Sequence, residues 1–219
     1  MADTTKPAEI TTPGLREQKK QETRQLISDR ATELFIEHGF EETKISDIAD
    51  AARVAKKTVT NYFARKEDMA LDHADEFALG LGRTVADRAP GESALDALRR
   101  VFLAGVEQRD PIIGFTGAPF ARMIAASPTL INRLRELHER REYELCVTLA
   151  AETGDEPDAI IPRVAAAQLA AVHRLLFQDL MRLNIAGLDN DAIATQVGPD
   201  AKRAFALLQQ PLGDYAVRD

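Results

Sequence analysis

Five cations and no carboxylate stand between positions 53 and 66: Arg53, Lys56, Lys57, Arg65 and Lys66. Interleaved with them are Thr58, Thr60, Asn61 and Tyr62, side chains that donate and accept hydrogen bonds. This mixture suits nucleic-acid contact. Lys and Arg neutralise phosphates and displace their counterions, while hydroxyls and amides meet phosphate oxygens and base edges. The run stands out because the whole chain carries a formal charge of −7. From charge alone a solvated face is the readier reading, so the elements that carry the run decide. Catalysis has no comparable foothold: the sequence holds no nucleophile elbow, phosphate loop or zinc pattern. Its one cysteine, Cys146, can build neither a disulfide nor a cysteine cage within the chain. A di-iron bundle needs Glu-x-x-His on two helices. The stretch Arg135-Glu136-Leu137-His138 has the wrong spacing and no second copy. No enzymatic activity, metal or cofactor is expected.

The elements that position the cationic run read as helices. Residues 1–15 are rich in Thr, Pro, Ala and Gly without hydrophobic period, which predicts a flexible arm. From Arg16, Ile27, Ala31, Leu34 and Phe35 recur at three- and four-residue spacing, and Gly39 supplies a helix stop. A second short helix sets Ile45, Ile48, Ala49 and Ala52 on one face. A third covers Lys56 to Tyr62, with Val59 and Phe63 inward. Two short helices joined by a tight turn, the second of them basic, make a helix-turn-helix. Beyond it the spacing stays helical, with breakers at Ala89-Pro90-Gly91, Asp110-Pro111, Ser127-Pro128, Thr153-Gly154-Asp155 and Gly187. The periodicity predicts helices over 66–83, 91–108, within 112–125, over 129–152 and 158–183, then a final pair separated by Gly198-Pro199. The expected fold is all-α with nine or ten helices: the arm (1–15), a three-helix helix-turn-helix domain (16–66) and a helical domain (67–219). An apolar content of 45% can build a core. No apolar run near the roughly 18 residues of a membrane span is evident, and no secretory leader pattern opens the chain. A cytoplasmic protein is expected.

Residues 24–68 resemble the TetR (tetracycline-repressor-like) family of transcriptional regulators. The resemblance is carried by Ala31, Leu34-Phe35, Gly39-Phe40, Thr43, Ile48-Ala49, Ala52, Val54, Thr58, Tyr62-Phe63 and Lys66-Glu67, in order and without gaps. It covers the first third of the chain. A segment over 122–130 and the helix after it look similar to a C-terminal domain of actinobacterial members, including mycofactocin-type regulators. The resemblance implies a homodimeric repressor that binds a palindromic double-stranded operator and is released by a small-molecule effector. The rival reading is an all-α protein-interaction module without DNA binding. The resemblance further implies DNA contacts from Lys56, Lys57 and Thr58 at the start of the recognition helix, then Thr60, Asn61 and Tyr62, with Lys66 on a phosphate. Lys44, a further implied phosphate contact, stands where the family has Ser or Thr, and Thr60 where it favours Tyr.

The helix over 158–183 carries two apolar stripes, one of Leu169, Val172, Leu176, Leu180 and Leu183, the other of Ala166, Ala170, His173, Phe177 and Met181. Because the family pairs its last long helices with those of a second copy, the leucine stripe is assigned to the dimer interface and the other stripe to the interior. Two intrachain stripes are the alternative. On the preceding helix His138 and Arg141 share a face with Leu134, Leu137 and Leu145. An inward arginine needs a carboxylate such as Glu107, Glu142 or Glu144, a wet cavity, or an anionic ligand. The expected effector is mostly apolar, with a polar or anionic end near His138 or Arg141. Its expected surroundings are Phe102, Phe115, Phe120, Met123, His173 and Phe177. Finally, Lys44, Ala55 and Arg65 stand at helix starts and cannot N-cap them, which predicts a DNA-binding unit short of stability.

Overall fold

The computed structural model describes residues 14–218. The expected arm lies outside the described residues except for Gly14 and Leu15, and Leu15 already opens the first helix. Eleven α-helices follow: α1 (Leu15–His38), α2 (Ile45–Ala51), α3 (Lys56–Tyr62), α4 (Glu67–Ala70), α5 (Ala74–Ala86), α6 (Ala94–Gln108), α7 (Ala118–Ala126), α8 (Pro128–Thr153), α9 (Ile160–Ile185), α10 (Asn190–Ala206) and α11 (Gln209–Leu212). A 3₁₀ turn (Pro111–Ile113) precedes α7, and the described residues contain no strand. Nine of these helices have seven residues or more; α4 and α11 are single turns. The fold is all-α.

Two apolar cores hold it. In one, Ile27, Phe35, Ile48, Val59 and Phe63 of α1–α3 pack continuously with Phe77, Ile124, Leu137 and Phe177 of the later helices. The other gathers Leu95 and Phe102 of α6, Leu145 and Leu149 of α8, Leu169 and Leu180 of α9, and Val197 and Phe205 of α10. Two helix expectations need correction. The helix read over 66–83 breaks at Leu71–His73, between α4 and α5. The cause lies on α1: the Ser28 hydroxyl sits 2.9 Å from the Met69 carbonyl and 2.7 Å from the Asp72 carboxylate, holding the chain in a turn there. Conversely, Gly198-Pro199 does not separate two helices. Helix α10 runs through Pro199 because Ile193, Val197, Ala201 and Phe205 bury one continuous face, which outweighs the lost hydrogen bond.

The leucine stripe of α9 is also corrected. Leu169, Leu176, Leu180 and Leu183 lie buried in the chain's own second core, so these four are not free to meet a second copy, and Val172 is half-buried against the same core. Apolar side chains of α6, α8 and α10 share that core. The uncovered face of α9 instead runs through Val164, Ala167, Ala171, Leu175 and Gln178, with Leu175 56% exposed. Helix α9 has the length and mean hydropathy (1.3) to cross a membrane, an exception to the sequence expectation. Its buried faces are core faces of this fold. Asn184, fully buried, ties α9 to the segment before α7. Its amide donates to the Gly114 and Leu180 carbonyls and accepts the Gly117 N–H. Gly114 must be glycine for this approach: its φ is 124° and a Cβ would stand 2.9 Å from Cβ of Leu180.

Candidate nucleic-acid interface and ligand cavity

Helix α2 starts at Lys44, whose side chain has no acceptor to offer. The Asp47 carboxylate instead takes the Lys44 N–H at 3.0 Å. The helix ends in a tight turn in which Arg53 adopts a left-handed conformation (φ 55°) and the Val54 N–H closes onto the Ala49 carbonyl at 2.9 Å. Glycine would hold that conformation without the Cβ penalty. Ala55, extended at φ −69° and ψ 146°, then opens α3 without any side-chain cap. Val59 and Phe63 anchor α3 in the core, and Arg24 locks its end by donating to the Tyr62 carbonyl at 2.8 Å while lying over the Phe63 ring. The opposite side of α3 presents Lys56, Lys57, Thr60 and Asn61 to solvent, with Thr58 and Tyr62 half-buried and Lys44 exposed nearby in the chain.

The cationic run splits by partner. Among the described residues no side chain or carbonyl bonds the charged groups of Arg53, Lys56 or Lys57. Arg65 reaches Glu136 of α8 at 3.4 Å. Lys66, expected on a phosphate, is instead occupied: its ammonium donates to the carbonyls of Phe40, Glu41 and Thr43 and lies 4.2 Å from the Phe40 ring centre. Its three protons brace the α1–α2 connection. Thr60 likewise turns its hydroxyl back to the Lys57 carbonyl. The missing cap at Ala55 carries an expected result. Ala55→Ser adds an acceptor at a backbone geometry that suits it and raises stability by about 1 kcal/mol, read as a higher melting temperature. An unchanged or lower value means another group already caps α3.

Behind this unit lies a cavity of about 580 Å³. Its walls are Ser28 and Thr32 of α1, the α4–α5 turn, Phe77, Ile112, Phe115, Phe120, Leu134, Leu137 and Phe177. Of the residues expected around an effector, Phe115, Phe120 and Phe177 are there. Met123 is buried in the first core, whereas Phe102 and His173 stack with Phe205 in the second. His138 borders a separate recess between α8 and α9, on the other side of Phe177. Sequence reasoning missed Phe77 and the α1 wall; the pair Ser28 and Thr32, four apart beside the apolar stripe of α1, was the available signal.

Arg141 is buried and makes no hydrogen bond or ion pair with any described residue; Glu107, Glu142 and Glu144 are not its partners. Its guanidinium carbon lies 4.4 Å from the Phe77 ring centre. Burial lowers its pKa to about 10, which leaves it charged at neutral pH. Burial, followed by the charges of Arg141 and Arg174, pushes His138 down to about 4. Burial and then Arg141 hold His173 well below the usual imidazole range. Both imidazoles are therefore neutral beside one cation. Cys146 is buried, and burial raises its thiol, as a small core side chain rather than a reactive thiolate would have it.

Contacts join this region to the helix-turn-helix. The Ser127 hydroxyl caps α8 at Leu130 and donates to Glu41 at 2.6 Å. Arg133 of α8 bridges Asp68 at 3.0 Å and Glu136 at 2.9 Å.

With this geometry in hand, residues 27–72 match the family described as bacterial regulatory proteins, tetR family. The HTH-type transcriptional regulator TcmR of Streptomyces glaucescens is 30% identical over 187 residues, 81% of this chain and 83% of TcmR. MftR of Mycobacterium tuberculosis, named for mycofactocin biosynthesis, is 50% identical over only 40 residues, 18% of this chain and 20% of its own. A mycofactocin branch therefore rests on little. A solved SmeT–triclosan complex has the same fold, with a TM-score of 0.58 over 90% of this chain and 94% of that one, at 18% identity.

Proposed function

Because the chain belongs to the tetR family of bacterial regulatory proteins, we propose that this transcriptional regulator is a homodimeric repressor of a palindromic operator, released by a small molecule. Residues 16–66 form its DNA-binding part and 67–219 its effector and dimer part. The observation that carries the reading is the outer side of α3. Lys56 and Lys57, with Arg53 in the turn before them, are exposed and unpaired, whereas the neighbouring cations Arg65 and Lys66 have partners inside the molecule. Three free cations beside Thr58 and Asn61, on a helix anchored by Val59 and Phe63, suit a major groove: charge for phosphates, amide and hydroxyl for base edges. Lys44 at the start of α2 fits an adjacent phosphate.

Two copies are needed for a palindrome. The uncovered faces of α8 and α9 supply the surface: Ala167 and Ala171 allow close helix approach, and Val164, Leu175 and the 63%-exposed Tyr143 supply apolar area. The effector reading rests on the cavity, whose aromatic and aliphatic walls suit a largely apolar molecule. A regulator of this kind works in the cytoplasm, where its DNA is.

The test is a fluorescence-anisotropy titration of the purified chain against labelled DNA from upstream of its own coding region. Expected is binding that survives competitor DNA and weakens steeply with salt, as counterion release requires. No binding to this or any other duplex even at low salt would leave the protein-interaction module as the better reading.

A further inference from the structure

Two arginines are buried among the described residues, and they are treated very differently. Arg88 donates to Glu152 at 2.7 Å and to the carbonyls of Ala216 and Val85. Arg141, 6% exposed, donates to nothing, and its Nε is sealed from solvent without a partner. Both ring nitrogens of His173 are sealed and unpartnered as well. Buried polar groups are normally bonded, and a buried cation more so. A buried, unpaired guanidinium describes a site built for an acceptor that the chain itself does not supply.

One aromatic ring stands against both that guanidinium and the cavity. Phe77 lines the cavity and covers Arg141 at 4.4 Å. Its ring stands edge-on to His138 at 5.0 Å and to Phe177 at 5.6 Å, and Phe177 is itself a cavity wall. A ring face is a weak substitute for a carboxylate over an arginine. We propose that the cavity takes a ligand with an apolar body and one anionic group, and that this group reaches Arg141 by displacing the Phe77 ring. The assignment rests on the reading of the cavity as the effector site and names the chemistry of what fills it. The acids at the cavity mouth do not reverse the sign. Asp29 and Glu33 are exposed to water, where charge is screened, and Asp72 is bonded by Ser28. Arg141 is buried, where a charge-assisted bond counts for more than at those exposed acids.

Three probes of equal length separate the possibilities: decanoate, decanol and decylamine, each titrated below its micelle concentration into the full-length protein by calorimetry and thermal shift. Decanoate is expected to bind at least about tenfold more tightly than decanol. Arg141→Met should reduce decanoate to the level of decanol while leaving decanol unchanged. Phe77→Ala should tighten decanoate, since no ring has to move. The wild-type ranking needs no variant, so the test survives a variant that fails to fold. Decylamine as the tightest probe, or decanoate unaffected by Arg141→Met, would overturn the anion site and leave the cavity reading intact. Failure of all three to bind would overturn the cavity reading along with it.

Discussion

Replacing Lys56 and Lys57 together with Ala is expected to lower operator affinity on the order of 10²-fold at moderate salt. The direction follows from their exposure and lack of internal partners. Removing them takes four cations from a dimer, so the slope of log affinity against log salt should become shallower by about four. Folding should be untouched, because neither side chain contributes to the core. A Lys66→Ala variant should behave differently. Its ammonium holds the Phe40, Glu41 and Thr43 carbonyls, so the melting temperature should fall while the salt slope changes little. If Lys66→Ala flattened the salt slope at an unchanged melting temperature, the internal brace described for Lys66 would be wrong.

The second large effect concerns assembly. A carboxylate at the centre of the uncovered α9 face, Ala171→Glu or Leu175→Asp, would place two like charges near a twofold axis. Burying such a pair costs roughly 2–5 kcal/mol. Sedimentation at micromolar concentration should then show a monomer in place of a dimer, and operator binding should fall with it. The monomer should stay folded, since Leu175 is 56% exposed in the single chain. Leu180→Asp is the contrasting control: Leu180 is fully buried within the chain, so that variant should lose its fold rather than its partner. A dimer that tolerates both surface carboxylates would move the interface away from α9.

What could be read in the residues alone follows from the range of the interactions involved. The helix-turn-helix was legible because its signals are local: apolar spacing of three and four, a tight turn, and cations on one short helix. The internal bonds of Lys66 were not legible because its partners are carbonyls 23 to 26 residues earlier, and sequence spacing does not reveal such a bond. The break between α4 and α5 has the same origin, a serine hydroxyl 41 residues before the carbonyl it meets. Period resolved the two stripes of α9 correctly as faces. It could not say what covers which face, and the chain's own second core took up the leucines assigned to a second copy. Arg141 was legible as an inward arginine from its place among leucines. That none of the three glutamates considered for it is its partner became visible only in three dimensions.

The α1 wall of the cavity bears on how this protein could be rebuilt. Regulators are often treated as two exchangeable parts, a reader of operators and a sensor of chemicals, to be recombined at will. Here Ser28 and Thr32, on the helix that leads into the helix-turn-helix, form part of the surface that surrounds the cavity. A chimera that grafts residues 16–66 of another regulator onto this C-terminal portion would import a foreign wall along with the foreign recognition helix. Sensor specificity would change with operator specificity unless positions 28 and 32 were kept.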